Sequence, residues 1–220
     1  SYLNWQSTSG AIRTIAHFVK VSRQALDDLP WLRGTIDGEM IYGLKVKEEA
    51  EILSGDGTGV NLNGIITQAT AFSTGYLVAA AGWTRIDVLR YAKLQARLAG
   101  LATYPPSAFI LHPTDLAQIE LTKSAEGLYI IGDPRTGAAI RYIWDLPVVE
   151  SDSISAGTFL VGAFNTAADL IDRMATTVEI SFEDDVNFQQ NLATIRCEER
   201  IGLAVKKSSA FVTGSFSTSP

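Results

Sequence analysis

The chain has 220 residues, of which 46% are apolar and 19% charged, with a mean hydropathy of +0.12. This composition excludes a disordered tail or a solvated linker. A formal charge of −6 and a sequence pI near 4.9 exclude a nucleic-acid binder that works by neutralising phosphates.

Residues 12–21 (IRTIAHFVKV) read as a strand rich in β-branched and aromatic side chains. Ile12, Thr14, Ala16, Phe18 and Lys20 share one face, and Arg13, Ile15, His17, Val19 and Val21 the other. Asp27 and Asp28 are placed to cap a helix that begins at Pro30. From there Leu32, Ile36, Met40 and Leu44 recur at four-residue steps, with Ile41, Ala50 and Leu53 on a drifting stripe. The spacing predicts a 24-residue helix over 30–53, ended by Gly55. At 1.5 Å per residue it is roughly 36 Å long, a spine for a chain of this size. Gly34, Gly38 and Gly43 lie inside it and each costs about 1 kcal/mol relative to alanine. Close packing against another backbone is the expected reason for them.

Gly55, Asp56, Gly57, Thr58 and Gly59 follow, and then NLNGI. Thr84 should cap a second helix to about residue 98, with Ile86, Leu89, Ala92 and Ala96 on one face. Residues 108–111 (AFIL) read as a buried strand ending at His112 and Pro113, and Thr114 should cap a third helix to about residue 123. Short strands are predicted over 129–131, 140–144, 147–150 and 158–164, then long ones over 176–182, 192–205 and 210–216. The order of strand, long helix, mixed segment and β-rich end indicates an α+β class.

Few constellations invite chemistry. A glycine run at 55–59 suggests a nucleotide-binding enzyme, but it follows a helix and lacks the Lys-Ser/Thr of a P-loop, so a helix end and domain junction is the better reading. His17 and His112 have no nucleophile in a recognisable context and read as structural. With a single cysteine, Cys197, and two histidines, neither a disulfide nor a zinc site is expected, and no cofactor is implied. The adjacent pairs Asp27–Asp28 and Asp184–Asp185 fit caps and turns. Along 192–205, Arg196, Glu198 and Arg200 share a strand face as an ion-pair ladder. The other face places Glu199 among apolar neighbours unless another subunit supplies its partner. The longest apolar stretch, 77–81, is too short to span a membrane, and no secretory signal is visible.

The blocks SRQALDD, GDGTGVNLNGI, LPVV and CEER occur in an order that resembles the major capsid proteins of tailed bacteriophages with the Hong Kong 97-type fold, over about 12–217. The resemblance implies a peripheral domain (1–59 and 171–220) around the spine helix and the C-terminal strands. An axial domain (60–170) is inserted between them. It further implies a shell of hexamers and pentamers enclosing double-stranded DNA, with scaffold, protease and portal proteins as partners. The implied place is the virion capsid, assembled in the bacterial host cytoplasm. An encapsulin-like compartment is the alternative on the same fold.

Some members cross-link a lysine on an extended loop to an asparagine of a neighbour, assisted by a glutamate, and these positions fall on Asn191 and Glu198. Here the stretch where that loop belongs (residues 4–11) holds no lysine. Arg196 replaces an apolar position and would hold Glu198 ionised. No cross-link and no enzymatic activity are therefore expected. The chain opens on Ser1, and its N-terminal arm and extended loop are expected to be missing or shortened.

Overall fold

The computed structural model describes residues 10–73, 75, 83–124, 127–130, 142–184 and 186–216. The predicted strand at 140–144 and the Asp184–Asp185 pair thus fall partly outside the described residues, as does the 4–11 stretch. The chain divides into two compact units.

The first unit comprises Ser1–Ile52, Asp56–Leu62 and Leu170–Ala204. Its sheet runs β1 (Ile12–Ser22), β8 (Leu192–Val205) and β7 (Ala168–Ser181), with β8 in the middle. β1 and β8 are antiparallel in an unbroken register from Ile12 opposite Gly202 to Ser22 opposite Leu192. Over β1 and β8 the alternation is a two-faced one. Ile15, Ile195, Cys197 and Ile201 turn inward and join Met40, Leu44 and Leu62 in one apolar cluster. β7 starts eight residues before the predicted 176, because its exposed beginning, ADLIDRMA, sets apolar and charged residues side by side without a period of two.

Helix α1 (Arg23–Asp28) is an addition to the predicted elements. It corrects the role given to Asp27 and Asp28, which close α1 instead of capping the next helix. Asp27 faces Arg23 one turn earlier at 4.0 Å. Helix α2 (Pro30–Ser54) is the spine, and its burial deepens along the stripe, from half-buried Leu32 and Ile36 to buried Met40 and Leu44. Ile41 departs from the stripe and is exposed.

The glycines of α2 do not behave alike. An added Cβ at Gly43 would come within 3.1 Å of the His17 ring, whose Nε2 donates to the Met40 carbonyl at 2.7 Å. Gly34 and Gly38 meet nothing within 4 Å, so the expected backbone approach is absent at both. Gly34→Ala and Gly38→Ala should each stabilise this unit by about 1 kcal/mol through helix propensity. Thermal melts of the two variants check this, and a lowered midpoint would contradict it.

The second unit comprises Leu53–Gly55, Asn63–Asp169 and Val205–Pro220. Its strands are β2 (Thr70–Ala71), β3 (Ala108–Leu111), β4 (Tyr142–Ile143), β5 (Leu146–Glu150), β6 (Thr158–Gly162) and β9 (Phe211–Ser215). They form one sheet in the order β2-β9-β6-β3-β5-β4. β9 is parallel to β2 and antiparallel to β6. The resemblance groups the last strand with the peripheral part (171–220). Hydrogen bonding places it in this second sheet instead, and the unit boundaries depart from 1–59, 60–170 and 171–220 accordingly.

Helix α4 (Arg85–Gly100) supplies Leu89, Ala92 and Ala96 to a core shared with Phe109, Leu111, Phe159 and Val161. Its start is the predicted one, since Thr84 and Asp87 form a reciprocal capping box. Helix α5 (Pro113–Glu120) is capped by His112, whose Nδ1 accepts from the Thr114 N–H at 3.2 Å, and not by Thr114. Of the predicted strand at 129–131, residue 131 lies outside the described residues, and Tyr129 forms a bridge with Lys123. Helices α3 (Ile65–Gln68), α6 (Phe164–Ala167) and α7 (Asn187–Gln190) are single turns, and α7 belongs to the first unit.

Candidate functional site

Two places gather the residues singled out by the sequence: the loop after the spine and the β7–β8 region of the first unit. The chain changes unit at 52/53, at 55/56 and again at 62/63. Within the first unit, Asp56 organises the loop. Its carboxylate accepts from the Thr58 N–H at 3.0 Å, the Thr58 hydroxyl at 2.7 Å and the Asn61 amide at 2.9 Å. Gly57 N–H donates to the Leu62 carbonyl at 2.8 Å. Gly57 (φ 72°) and Gly59 (φ 56°) occupy the left-handed region that glycine reaches without strain. Glu51, buried at the end of α2, accepts from the Leu62 N–H at 3.0 Å and pairs with Lys47 at 2.9 Å. Within the second unit, Gly55 accepts from the Gly64 N–H at 2.9 Å and the Thr67 hydroxyl at 2.8 Å.

This loop is a poor phosphate cradle. The Thr58 and Gly57 N–H groups already have partners inside the chain, and the group at its centre is a carboxylate. Those donors, chiefly the Thr58 backbone N–H and then the Asn61 amide, lower the Asp56 pKa to about 2. A depressed carboxylate contributes stability above its ordinary value of 3.8, and that contribution is lost as pH falls through about 2. Asp56→Ala should therefore show a shallower fall in melting temperature between about pH 4.5 and pH 2 than the parent. Parallel slopes for the two proteins would refute it.

In the β7–β8 region the ladder forms in part. Arg196 pairs with Glu179 at 2.8 Å and with Glu198 at 3.4 Å. Arg200 makes no ion pair among the described residues. Asn191, exposed, sits in a left-handed conformation (φ 53°) at the end of α7, and its carbonyl accepts from the Arg23 N–H at 3.0 Å. Glu198 is half-buried one strand face away from the apolar cluster.

Sequence reasoning missed the partner of Glu199. This side chain is 2% exposed, and its Oε2 takes the Lys45 ammonium at 3.2 Å and the Thr176 hydroxyl at 2.9 Å. Lys45 comes from α2 of the same unit and also pairs with Glu48 at 2.6 Å. No neighbouring subunit is required, which corrects the expectation. Burial first, and then the Glu199 charge, raise the Cys197 thiol pKa, which makes it an inert core group. Lys45 follows Leu44 directly on the helix, but nothing local in sequence joins positions 45 and 199.

The comparisons with known proteins agree. A family profile described as the Phage capsid family matches residues 3–216. The chain is 41% identical over 218 residues to a protein named major capsid protein of Enterobacteria phage HK97, covering 99% of this chain and 55% of that protein. It thus spans about half the length of this relative. Among solved structures it is similar to a chain from Gordonia phage Cozz, with a TM-score of 0.71, 14% identity and coverage of 98% of this chain and 76% of that one. It is likewise similar to the capsid of an empty GTA particle, with a TM-score of 0.69, 17% identity and coverage of 94% and 72%. The α+β arrangement of both units is the Hong Kong 97-type capsid fold, and the chain belongs to the phage capsid family.

Proposed function

We propose that this chain is the body of a major capsid subunit, a structural protein that builds hexamers and pentamers of an icosahedral phage head around double-stranded DNA. The observation that carries the reading is 41% identity across 99% of the chain to a major capsid protein. In this reading the first unit is the peripheral domain, with α2 as its spine, and the second is the axial domain. Closed rings of heterologous contacts tile the shell, and many modest interfaces add up by avidity. A chain of net charge −6 suits DNA held by confinement without sequence recognition. Scaffold, protease and portal proteins are its assembly partners, and the host cytoplasm is the site of assembly before the subunit enters the virion.

No catalytic step is assigned. The carboxylate of Glu198 is engaged by Arg196, so the shell is held non-covalently, and a Lys–Asn191 isopeptide found by mass spectrometry would overturn that. Negative-stain microscopy of the full-length product tests the whole reading, with closed DNA-filled particles expected. Particles carrying a protein cargo and no DNA would favour an encapsulin-like compartment, and an absence of closed particles would refute both.

A further inference from the structure

An asparagine followed by glycine is chemically fragile. With no side chain on the second residue, its backbone nitrogen is open to attack the carboxamide before it. The chain holds one such pair, Asn63–Gly64. Its other asparagines precede Trp5, Leu62, Thr166, Phe188 and Leu192, whose side chains obstruct that approach.

In the folded second unit the attacking nitrogen is already engaged. The Gly64 N–H donates to the Gly55 carbonyl at 2.9 Å, and the Asn63 carbonyl accepts from the Gln68 side-chain amide at 2.6 Å. Both ends of one peptide unit are therefore held. A planar peptide cannot turn one end without moving the other. For the nitrogen to reach the Asn63 carboxamide carbon, the unit must rotate and give up both bonds. The acceptor is fixed as well, since the Gly55 oxygen also takes the Thr67 hydroxyl at 2.8 Å. Asn63 is exposed and Gly64 is buried, so water has access to the carboxamide while the nucleophile stays on Gly55.

We propose that Asn63 is a self-modification site gated by this turn. It converts to aspartate and isoaspartate only in chains whose Gly64–Gly55 bond has opened, and the isoaspartate form cannot close the turn again. In the opened chain hydroxide takes the Gly64 amide proton and the nitrogen bonds to the Asn63 side-chain carbonyl carbon. The carboxamide C–N bond breaks, and ammonia leaves with a proton from water. Water then opens the cyclic imide at either carbonyl. One product is aspartate. The other routes the main chain through the former Cβ of residue 63 and leaves the α-carboxylate as a side group. The closed turn has no slack for this longer backbone. Even a Cβ on Gly64 would lie 2.5 Å from the Gly55 nitrogen and 2.8 Å from the Leu53 carbonyl oxygen. A chain that lingers unfolded is thus marked and barred from closing the turn, whereas a folded one keeps its asparagine.

The test follows the full-length protein by peptide mapping and mass spectrometry during incubation at mildly alkaline pH. Protein held in guanidinium chloride should accumulate aspartate and isoaspartate at position 63. Native protein should do so at least about tenfold more slowly, in proportion to the time its turn is open. Gln68→Ala frees one end of the peptide unit and should raise the native rate severalfold, with the denatured rate unchanged. When the incubated denatured protein is diluted, the refolded fraction should be depleted of isoaspartate relative to the fraction that stays unfolded. Equal rates in native and denatured protein would overturn the proposal, as would a denatured chain that keeps its asparagine. Equal isoaspartate in the two diluted fractions, or an unchanged native rate in folded Gln68→Ala, would also overturn it. If Gln68→Ala does not fold, the native and denatured rates of the parent decide.

Discussion

Gly64→Ala should destabilise the second unit by about 3 kcal/mol, the upper end for overpacking, because nothing near it can move aside. A Cβ at this position would lie 2.5 Å from the Gly55 nitrogen and 2.8 Å from the Leu53 carbonyl oxygen. Both are backbone atoms, and rotamer changes cannot relieve the contact. The Gly64 N–H to Gly55 carbonyl bond would have to open as the strands of chain separate, leaving buried backbone groups without partners. Urea denaturation followed by tryptophan fluorescence reads the loss directly. A midpoint within error of the parent would mean that the loop tolerates a side chain and that its closeness is incidental. Gly64 is a helix-start position with ordinary φ (−64°), so the requirement is for space and not for left-handed backbone.

Lys45→Met should cost the first unit about 2 kcal/mol. A fully buried pair loses roughly 3–5 kcal/mol when one partner is removed. The Lys45 ammonium is 52% exposed, and solvent screening reduces its share. What remains is a carboxylate at 2% exposure holding only the Thr176 hydroxyl, with its second oxygen buried and unpartnered. Adding Glu199→Met should return most of the loss, because removing both charges also removes the stranded one. The pH dependence has a definite sign. The hydrogen bond to Glu48 leads, and that to Glu199 adds, in raising the Lys45 pKa above its ordinary 10.5. The pair's contribution is therefore whole below pH 10.5 and lost as pH rises through the folded value. Denaturation of parent and single variant at about pH 8 and pH 11 should show the gap narrowing at the higher pH. A gap that widens, or a double variant less stable than the single, would contradict the account.

Much of the fold was legible because its signals are local. The four-residue stripe of α2, the Thr84 cap and the alternation of β1 and β8 are each written within a dozen or so residues, and each element stands close to where its pattern puts it. The errors arise where a long-range partner decides. β9, like β8, carries β-branched residues, yet it pairs with β6 and β2, and alternation cannot name a sheet. His112 displaces Thr114 as a cap because its imidazole nitrogen accepts the N–H of Thr114, two residues on. Lys45 and Glu199 meet across 154 positions, a pairing that periodicity does not record. The glycine argument failed differently. Propensity points to Gly34 and Gly38, which face open space, whereas Gly64, Gly162 and Gly214 leave no room for a Cβ, and at Gly64 the obstacle is backbone that cannot move aside.

The placement of β8 and β9 bears on the order in which the protein can form. β1 is made long before β8, and it has no sheet until residues 192–202 are available to face it, since Ile12 waits for Gly202. β2 and β6 wait in the same way for Phe211–Ser215 to fill the space between them. During synthesis neither sheet can close, although domains elsewhere in biology commonly fold one by one as they emerge. Such contact distances make folding slow and late. They also give a form of timing: a nascent chain that stops before residue 192 has no partner for β1 and no closed first sheet. In the proposed shell, a subunit presents two finished sheets to its neighbours only after the residues up to Ser215 have been made.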